Sequence, residues 1–280
     1  MKLFNQQLDN LFNNKKVVKI ISGIDNLNIH SILQYVQACE IGKATYVDIS
    51  ANPEIVRFIK QITNLPVCVS SINIKALYDS VLAGADLVEI GNFDVFYNQG
   101  IIFSPQQIVN ISKQIRLLLP NTYICVTIPH IFTLNQQIEL ALRLEDLGIN
   151  IIQTEGNISK LISSNLYKSS ISQDYLFYSI LKSAAALSSV YLLSNAVNIP
   201  VIAASGINSL TASIAFAYGA SGIGIKSEVG KFDSIDKMSC RINEIIQSLD
   251  INTSNIKYVK NNSILNHLYS YLDTSIFYSV

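Results

Sequence analysis

At 280 residues the chain is long enough for one closed α/β barrel of about 250 residues, and 49% of it is hydrophobic, enough to fill such a core. Twenty basic residues balance twenty acidic ones and only 14% of the chain is charged, which argues against nucleic acid or an anionic membrane surface as the partner. Four cysteines, Cys39, Cys68, Cys125 and Cys240, show no C-x-x-C and no histidine at metal-ligand spacing, so they read as reduced thiols and no metal or other cofactor is assigned.

The amino terminus carries no long apolar h-region and no segment has about 18 unbroken apolar residues, so a soluble protein is expected. Leu3, Phe4, Leu8, Leu11 and Phe12 recur near helical spacing, which predicts a short leading helix that covers the bottom of a barrel. Eight β-rich runs follow: Val17 to Ser22, Thr45 to Ser50, Val67 to Ser71, Leu87 to Gly91, Tyr123 to Ile128, Asn150 to Glu155, Val201 to Ser205 and Gly222 to Lys226. Helical patterns separate them, which implies parallel crossovers.

The even runs follow a glycine (Gly42, Gly84, Gly148, Gly219) suited to a left-handed helix end. The odd runs mostly follow proline (Pro66, Pro120, Pro200), so a two-unit phrase recurs along the chain. Two connections are long. The first, from Asn92 to Asn121, holds a helix from about Ser104, with Ser104 and Pro105 as N-cap and N1. The second, from Gly156 to Val197, holds a Ser-rich part from Ser159 to Gln173 and then a helix that includes Lys182 to Ala196. Long loops at this end of a barrel are often lids. The reading is a single (β/α)8 TIM barrel over residues 1–250. An extension over residues 251–280 follows, with Tyr258, Tyr269, Tyr271, Phe277 and Tyr278, suited to packing on the barrel, on a second copy or on a protein partner.

Strand parity selects the side chains of the lumen, because the outer face packs on helices. Val47, Ile49, Val88, Ile90, Ile152, Ile223 and Ile225 take the outer parity, which sends Asp48, Glu89, Gln153 and Gly224 inward, with Lys19 in the same region. A buried carboxylate needs a partner. Lys19, Asp48 and Glu89 are therefore either a structural ion pair closing the barrel floor or a general acid/base set beneath a substrate. The three acids Asp48, Glu89 and Glu155 would offer oxygen ligands to Mg²⁺ if they converged.

At the strand ends, Thr127, His130 and Gln153 are candidates to orient a substrate, and Glu155 is the strongest rim carboxylate and a fourth catalytic candidate. Asn52, Asn73 and Asn208 read as caps or turn residues. The loops after the seventh and eighth runs supply Ser205, Gly206 and Ile207, then Lys226 and Ser227, in the position where such barrels often hold phosphate. Cys68 and Cys125 have inward parity and read as small core residues.

The phrases Lys19-Ile-Ile-Ser22-Gly23, Val47-Asp48-Ile-Ser50-Ala51, Glu89-Ile-Gly91-Asn92-Phe93-Asp94, Val126-Thr127-Ile-Pro129-His130, Gln153-Thr154-Glu155-Gly156 and Ala204-Ser205-Gly206 resemble the hypothetical chloroplast reading frame twenty-three family. The resemblance spans about Lys2 to Leu249. It implies a barrel of the ribulose-phosphate-binding type in the plastid stroma, and it implies no catalytic residues. Lys226 and Glu228 depart from the small residues usual in such barrels. A lysine there either contacts phosphate or fills its site, and Glu228 would repel an anion. Two functions follow as expectations: an isomerase- or epimerase-like enzyme moving a proton on a small phosphorylated metabolite, or a non-catalytic regulatory or scaffold protein that keeps the pocket.

Overall fold

A β-branched run that ends in a turn, followed by an amphipathic helix, packs stably only by repeating against its neighbours, and eight such units close on themselves. The computed structural model describes residues 2–91, 93–97, 99–156 and 175–255. The strands are β1 (Val17–Ile21), β2 (Tyr46–Ser50), β3 (Val67–Ser70), β4 (Leu87–Ile90), β5 (Tyr123–Ile128), β6 (Ile151–Thr154), β7 (Val201–Ala204) and β8 (Gly222–Ile225). They form a closed barrel in sequence order, every neighbouring pair parallel and β8 returning to β1. The predicted fold is thus observed.

A helix α1 (Lys2–Asn13) precedes the barrel, and α2 (Ile29–Gly42), α3 (Pro53–Ile62) and α4 (Ile74–Leu82) lie between the first four strands. A one-turn α5 (Asp94–Tyr97) and α6 (Pro105–Leu118) follow β4, then α7 (Leu134–Asp146) and α8 (Tyr175–Ala196). The last helices are α9 (Ala212–Ala217), α10 (Ser227–Gly230) and α11 (Ile235–Asn255). The Ser-rich part from Ser159 to Gln173, and the extension beyond Asn255 with its five aromatic residues, lie outside the described residues.

Helix starts follow the local chemistry. Asn52 accepts from the backbone of Glu54 and Ile55, Asn73 accepts from Ala76, and Ser104 with Gln107 forms a reciprocal capping box. The helix ends hold one surprise. Gly84, Gly148 and Gly219 do stop their helices at φ +114°, +77° and +107°. At the fourth such site the left-handed residue is Lys43, at φ 62°, and Gly42 is the last helical residue instead. A Cβ at Gly42 would lie 2.7 Å from the Ile242 side chain, so this glycine lets α11 pack tightly on α2. The prolines open strands because the missing N–H is not needed there, while the carbonyls of Pro66 and Pro200 receive Val47 N–H at 3.1 Å and Ile152 N–H at 3.0 Å.

The outer faces of the strands form one apolar shell with the helices, in which Val47, Ile49, Val88, Ile90, Ile152, Ile223 and Ile225 are buried. Each such side chain contributes about 1.5–3 kcal/mol by leaving water. A separate apolar cluster fills the lower lumen. Leu8 and Phe12 of α1 pack there on Val17, Tyr46, Cys68, Leu87, Cys125, Ile151 and Ile202, so α1 plugs the barrel bottom. Burial raises the Cys68 and Cys125 thiols well above their usual range, which keeps both inert.

Candidate functional site

Two residues above that plug, on six of the eight strands, the lumen turns polar. Lys19, Asp48, Ser70, Glu89, Thr127 and Gln153 come from six neighbouring strands and all are buried. The Lys19 ammonium contacts Glu89 Oε2 and donates to Gln153 Oε1 at 2.9 Å. Asp48 Oδ2 lies 2.9 Å from the same nitrogen without a hydrogen bond of its own, so that contact is one of charge. Asp48 Oδ1 accepts from the Ser70 hydroxyl at 2.6 Å. Glu89 Oε1 accepts from Thr127 Oγ1 at 2.9 Å and from Gln153 Nε2 at 2.7 Å.

The layer sets one ammonium between two carboxylates. Burial alone would drive the Lys19 ammonium toward neutrality, but Asp48 and Glu89 outweigh it and hold its pKa well above the ordinary value. Burial pushes the Asp48 carboxyl up to about 6, with the Lys19 charge and the Ser70 hydrogen bond pulling the other way. A lysine so firmly protonated is a poor nucleophile. Oxygen and sulfur atoms of Asp48, Cys68 and Glu89 lie within 4.8 Å of one another, spacing that suits a metal ion, but the ammonium is already their cation. Glu155 stands apart from this group. The three acids considered for Mg²⁺ therefore do not converge.

Above the layer opens a cavity of about 110 Å³. Thr127, Gln153 and Gly224 form its floor, Ile21, Thr154 and Ala204 line it, and Asp94 and Glu155 face Ser205, Gly206, Ile207, Lys226 and Ser227 around its mouth. Gly224 makes the room, since a Cβ there would sit 3.1 Å from Ala204 Cβ and 3.3 Å from Gln153 Oε1. Lys19, Asp48 and Glu89 do not line the cavity; they hold its floor from below through Gln153 and Thr127.

The two phosphate-loop candidates are both at the mouth. Ser205 and Gly206 take consecutive positive φ values, 80° and 74°. Two left-handed residues in succession make a tight turn, and both line the cavity. Asn208 fixes the turn from behind, accepting from Leu210 N and Thr211 N and donating to Ser179 Oγ at 2.8 Å. Gly206 is also a packing requirement, because a Cβ would lie 2.4 Å from the Lys182 carbonyl oxygen of α8. Lys226 is exposed at the cavity wall, with its Nζ passing over Gly23, and does not fill the site. Glu228 pairs with Lys231 at 2.7 Å, which offsets part of its charge.

Glu155 ties the rim together. Its Oε1 accepts from Asp94 N at 2.9 Å, and its Oε2 accepts from Tyr97 OH at 2.7 Å, His130 N at 3.2 Å and His130 Nδ1 at 2.9 Å. His130 stacks edge-on to Tyr97 and is not part of the cavity wall. Burial, then Glu155, raises the Tyr97 hydroxyl pKa. Asp94 is the functional candidate that strand ends do not reveal: it starts α5, beyond the end of β4. In the sequence an acid opening a helix reads as an ordinary first-turn charge.

A family model described as a protein of unknown function, DUF561, matches residues 3–255. The chain belongs to the DUF561 family. This DUF561 chain is 52% identical over 269 residues to the uncharacterized protein ycf23 of Antithamnion sp., covering 94% of this chain and 97% of the relative. It is 41% identical over 250 residues to the uncharacterized protein ycf23 of Cyanophora paradoxa, covering 89% and 99%. These relatives come from plastid-bearing organisms and agree with the resemblance drawn from the strand-end phrases.

Among solved structures, the thiamine phosphate pyrophosphorylase of Pyrococcus furiosus is similar to the DUF561 barrel at a TM-score of 0.54 and 18% identity, over 84% of this chain and 98% of that one. The geranylgeranylglyceryl phosphate synthase of Thermoplasma acidophilum, in complex with its substrate sn-glycerol-1-phosphate, matches at 0.57 and 12%, over 86% and 97%. Likeness at this identity speaks for the TIM-barrel fold alone.

Proposed function

We propose that this DUF561 protein binds a small phosphorylated metabolite at the C-terminal mouth of its barrel, in the plastid stroma, and that the cavity serves proton transfer of the isomerase or epimerase kind. The observation that carries the reading is the cavity itself. It joins an exposed cation, Lys226, and the Ser205-Gly206-Ile207 turn to a carboxylate, Asp94, across a polar floor. Backbone donors at a turn beside a cation suit a dianion. No described acceptor is paired with the N–H of Gly206 or Ile207. A structural neighbour in complex with a phosphorylated substrate, sn-glycerol-1-phosphate, lends support at the level of fold.

In this reading Ser205, Gly206, Ile207, Lys226 and Ser227 receive the phosphate. Thr127 and Gln153 orient the rest of the molecule, and Lys19, Asp48 and Glu89 hold those two in place. Melting temperature measured against inorganic phosphate and a panel of sugar phosphates tests it, with Lys226→Met as the comparison because Lys226 is exposed and unpaired among the described residues. A ligand at a hundred times its dissociation constant adds about 2.7 kcal/mol to stability. A rise in the wild type that shrinks in Lys226→Met supports the site; no rise, or an equal rise in both, removes it.

The non-catalytic reading draws on one observation: the Lys19, Asp48 and Glu89 cluster is closed and lies beneath the cavity instead of in its wall. It predicts phosphate binding without turnover of any bound compound.

A further inference from the structure

The four donors on Glu155 decide which carboxylate of the cavity is free to act. A carboxylate oxygen has two lone-pair sites, so Oε2, with three donors, is saturated, and Oε1 is committed to the Asp94 backbone. A carboxylate that holds four donors orients its neighbours and keeps at most one acceptor site, on Oε1. Asp94 is placed differently. Its backbone N–H is fixed by Glu155, and the residue is exposed and lines the cavity, with the Lys226 charge acting on its carboxyl.

The dimensions set the scale of the group the enclosed part takes. At roughly 10–15 Å³ for each water-sized group, a cavity of about 110 Å³ holds on the order of ten non-hydrogen atoms. A phosphate group takes about half of them, which leaves room for a chain of three or four carbons with its oxygens.

Resting on the phosphate site proposed above, we infer that Asp94 moves the proton in this cavity, that Glu155 is its positioning residue, and that the substrate is a phosphorylated carbonyl compound of three or four carbons. The Asp94 carboxylate takes the proton from the carbon next to the carbonyl. The C–H electron pair becomes the new C=C bond, and the carbonyl π pair moves to its oxygen as an enediolate. Asp94 then returns the proton to the same carbon, which re-forms the carbonyl, or to its neighbour. In the second case the hydroxyl proton of the first carbon passes to the former carbonyl oxygen, and the first carbon becomes the carbonyl. No oxidant, reductant or second substrate is consumed. The groups facing Asp94 fit this role. Burial and the Glu155 charge raise its pKa, while Lys226, the Val95 backbone and His130 draw it back. A base with a pKa moved toward the working pH is the efficient kind.

The test follows deuterium entering dihydroxyacetone phosphate, glyceraldehyde 3-phosphate and erythrose 4-phosphate in D₂O by proton NMR. Inorganic phosphate binding is measured by calorimetry on the same full-length preparations. Wild type should exchange at least one probe above the buffer rate, and Asp94→Asn should lower that rate at least 100-fold while phosphate affinity stays within about threefold. Glu155→Gln removes the neighbouring negative charge, so the pH midpoint of exchange should move down, a change that a purely structural role would not produce. If phosphate binds and no probe exchanges, or if Asp94→Asn exchanges like wild type, the inference is overturned and the binding site stands. If phosphate does not bind, the site and the inference fall together.

Discussion

Replacing Lys19 by Met isolates the electrostatics of the buried layer. Methionine fills much of the same space but leaves Asp48 with only the Ser70 hydroxyl, and strips Glu89 Oε2 of its ammonium while Oε1 keeps Thr127 and Gln153. Removing one partner of a buried ion pair costs about 3–5 kcal/mol. For a chain of this size that is a fall of about 10 °C in melting temperature. The penalty should depend on pH, because protonation of Asp48 relieves the uncompensated charge. Urea denaturation at pH 5 and pH 8 should therefore show the larger loss at pH 8. The triple variant Lys19→Met, Asp48→Asn, Glu89→Gln should recover most of the stability, since a neutral layer of similar volume needs no counterion. A loss below about 1 kcal/mol, or equal losses at the two pH values, would refute the reasoning.

Four further outcomes are expected. Asp48, raised from 3.8 to about 6 in the fold, binds its proton more tightly folded than unfolded. Its contribution to stability is thus present below pH 3.8 and lost as pH rises toward 6, by about 3 kcal/mol. Asp48→Asn should accordingly gain on wild type across that window in chemical denaturation. Lys19 acts in the opposite range, its contribution being full below pH 10.5 and lost only as pH climbs through its higher folded value. Tyr97→Phe should cost about 0.5–1.5 kcal/mol, because Glu155 Oε2 keeps its two His130 donors, whereas an unchanged denaturation midpoint would mean the hydroxyl is dispensable. Gly206→Ala should lose at least about 2 kcal/mol, because its Cβ meets the Lys182 carbonyl and its φ is 74°. This makes Gly206 substitutions unsuitable as simple binding controls.

Much of this protein is written in local periodicities. Strand alternation has a period of two, so the inward parity of Lys19, Asp48, Glu89, Gln153 and Gly224 is legible one strand at a time. The caps at Asn52, Asn73 and Ser104 are legible for the same reason: a cap is satisfied by backbone two or three residues away. Gly42 reads locally as a left-handed stop and is not one, because the residue that demands its lack of a Cβ is Ile242, far along the chain. Closure of the barrel alone decided the rest. It set Lys19, Asp48 and Glu89 beneath the cavity and left Lys226 open at its wall. It also brought Asp94, Tyr97 and His130 onto Glu155. Those meetings join residues from separate strands and loops, and a hydrogen bond depends on tenths of an ångström that only the packed fold supplies.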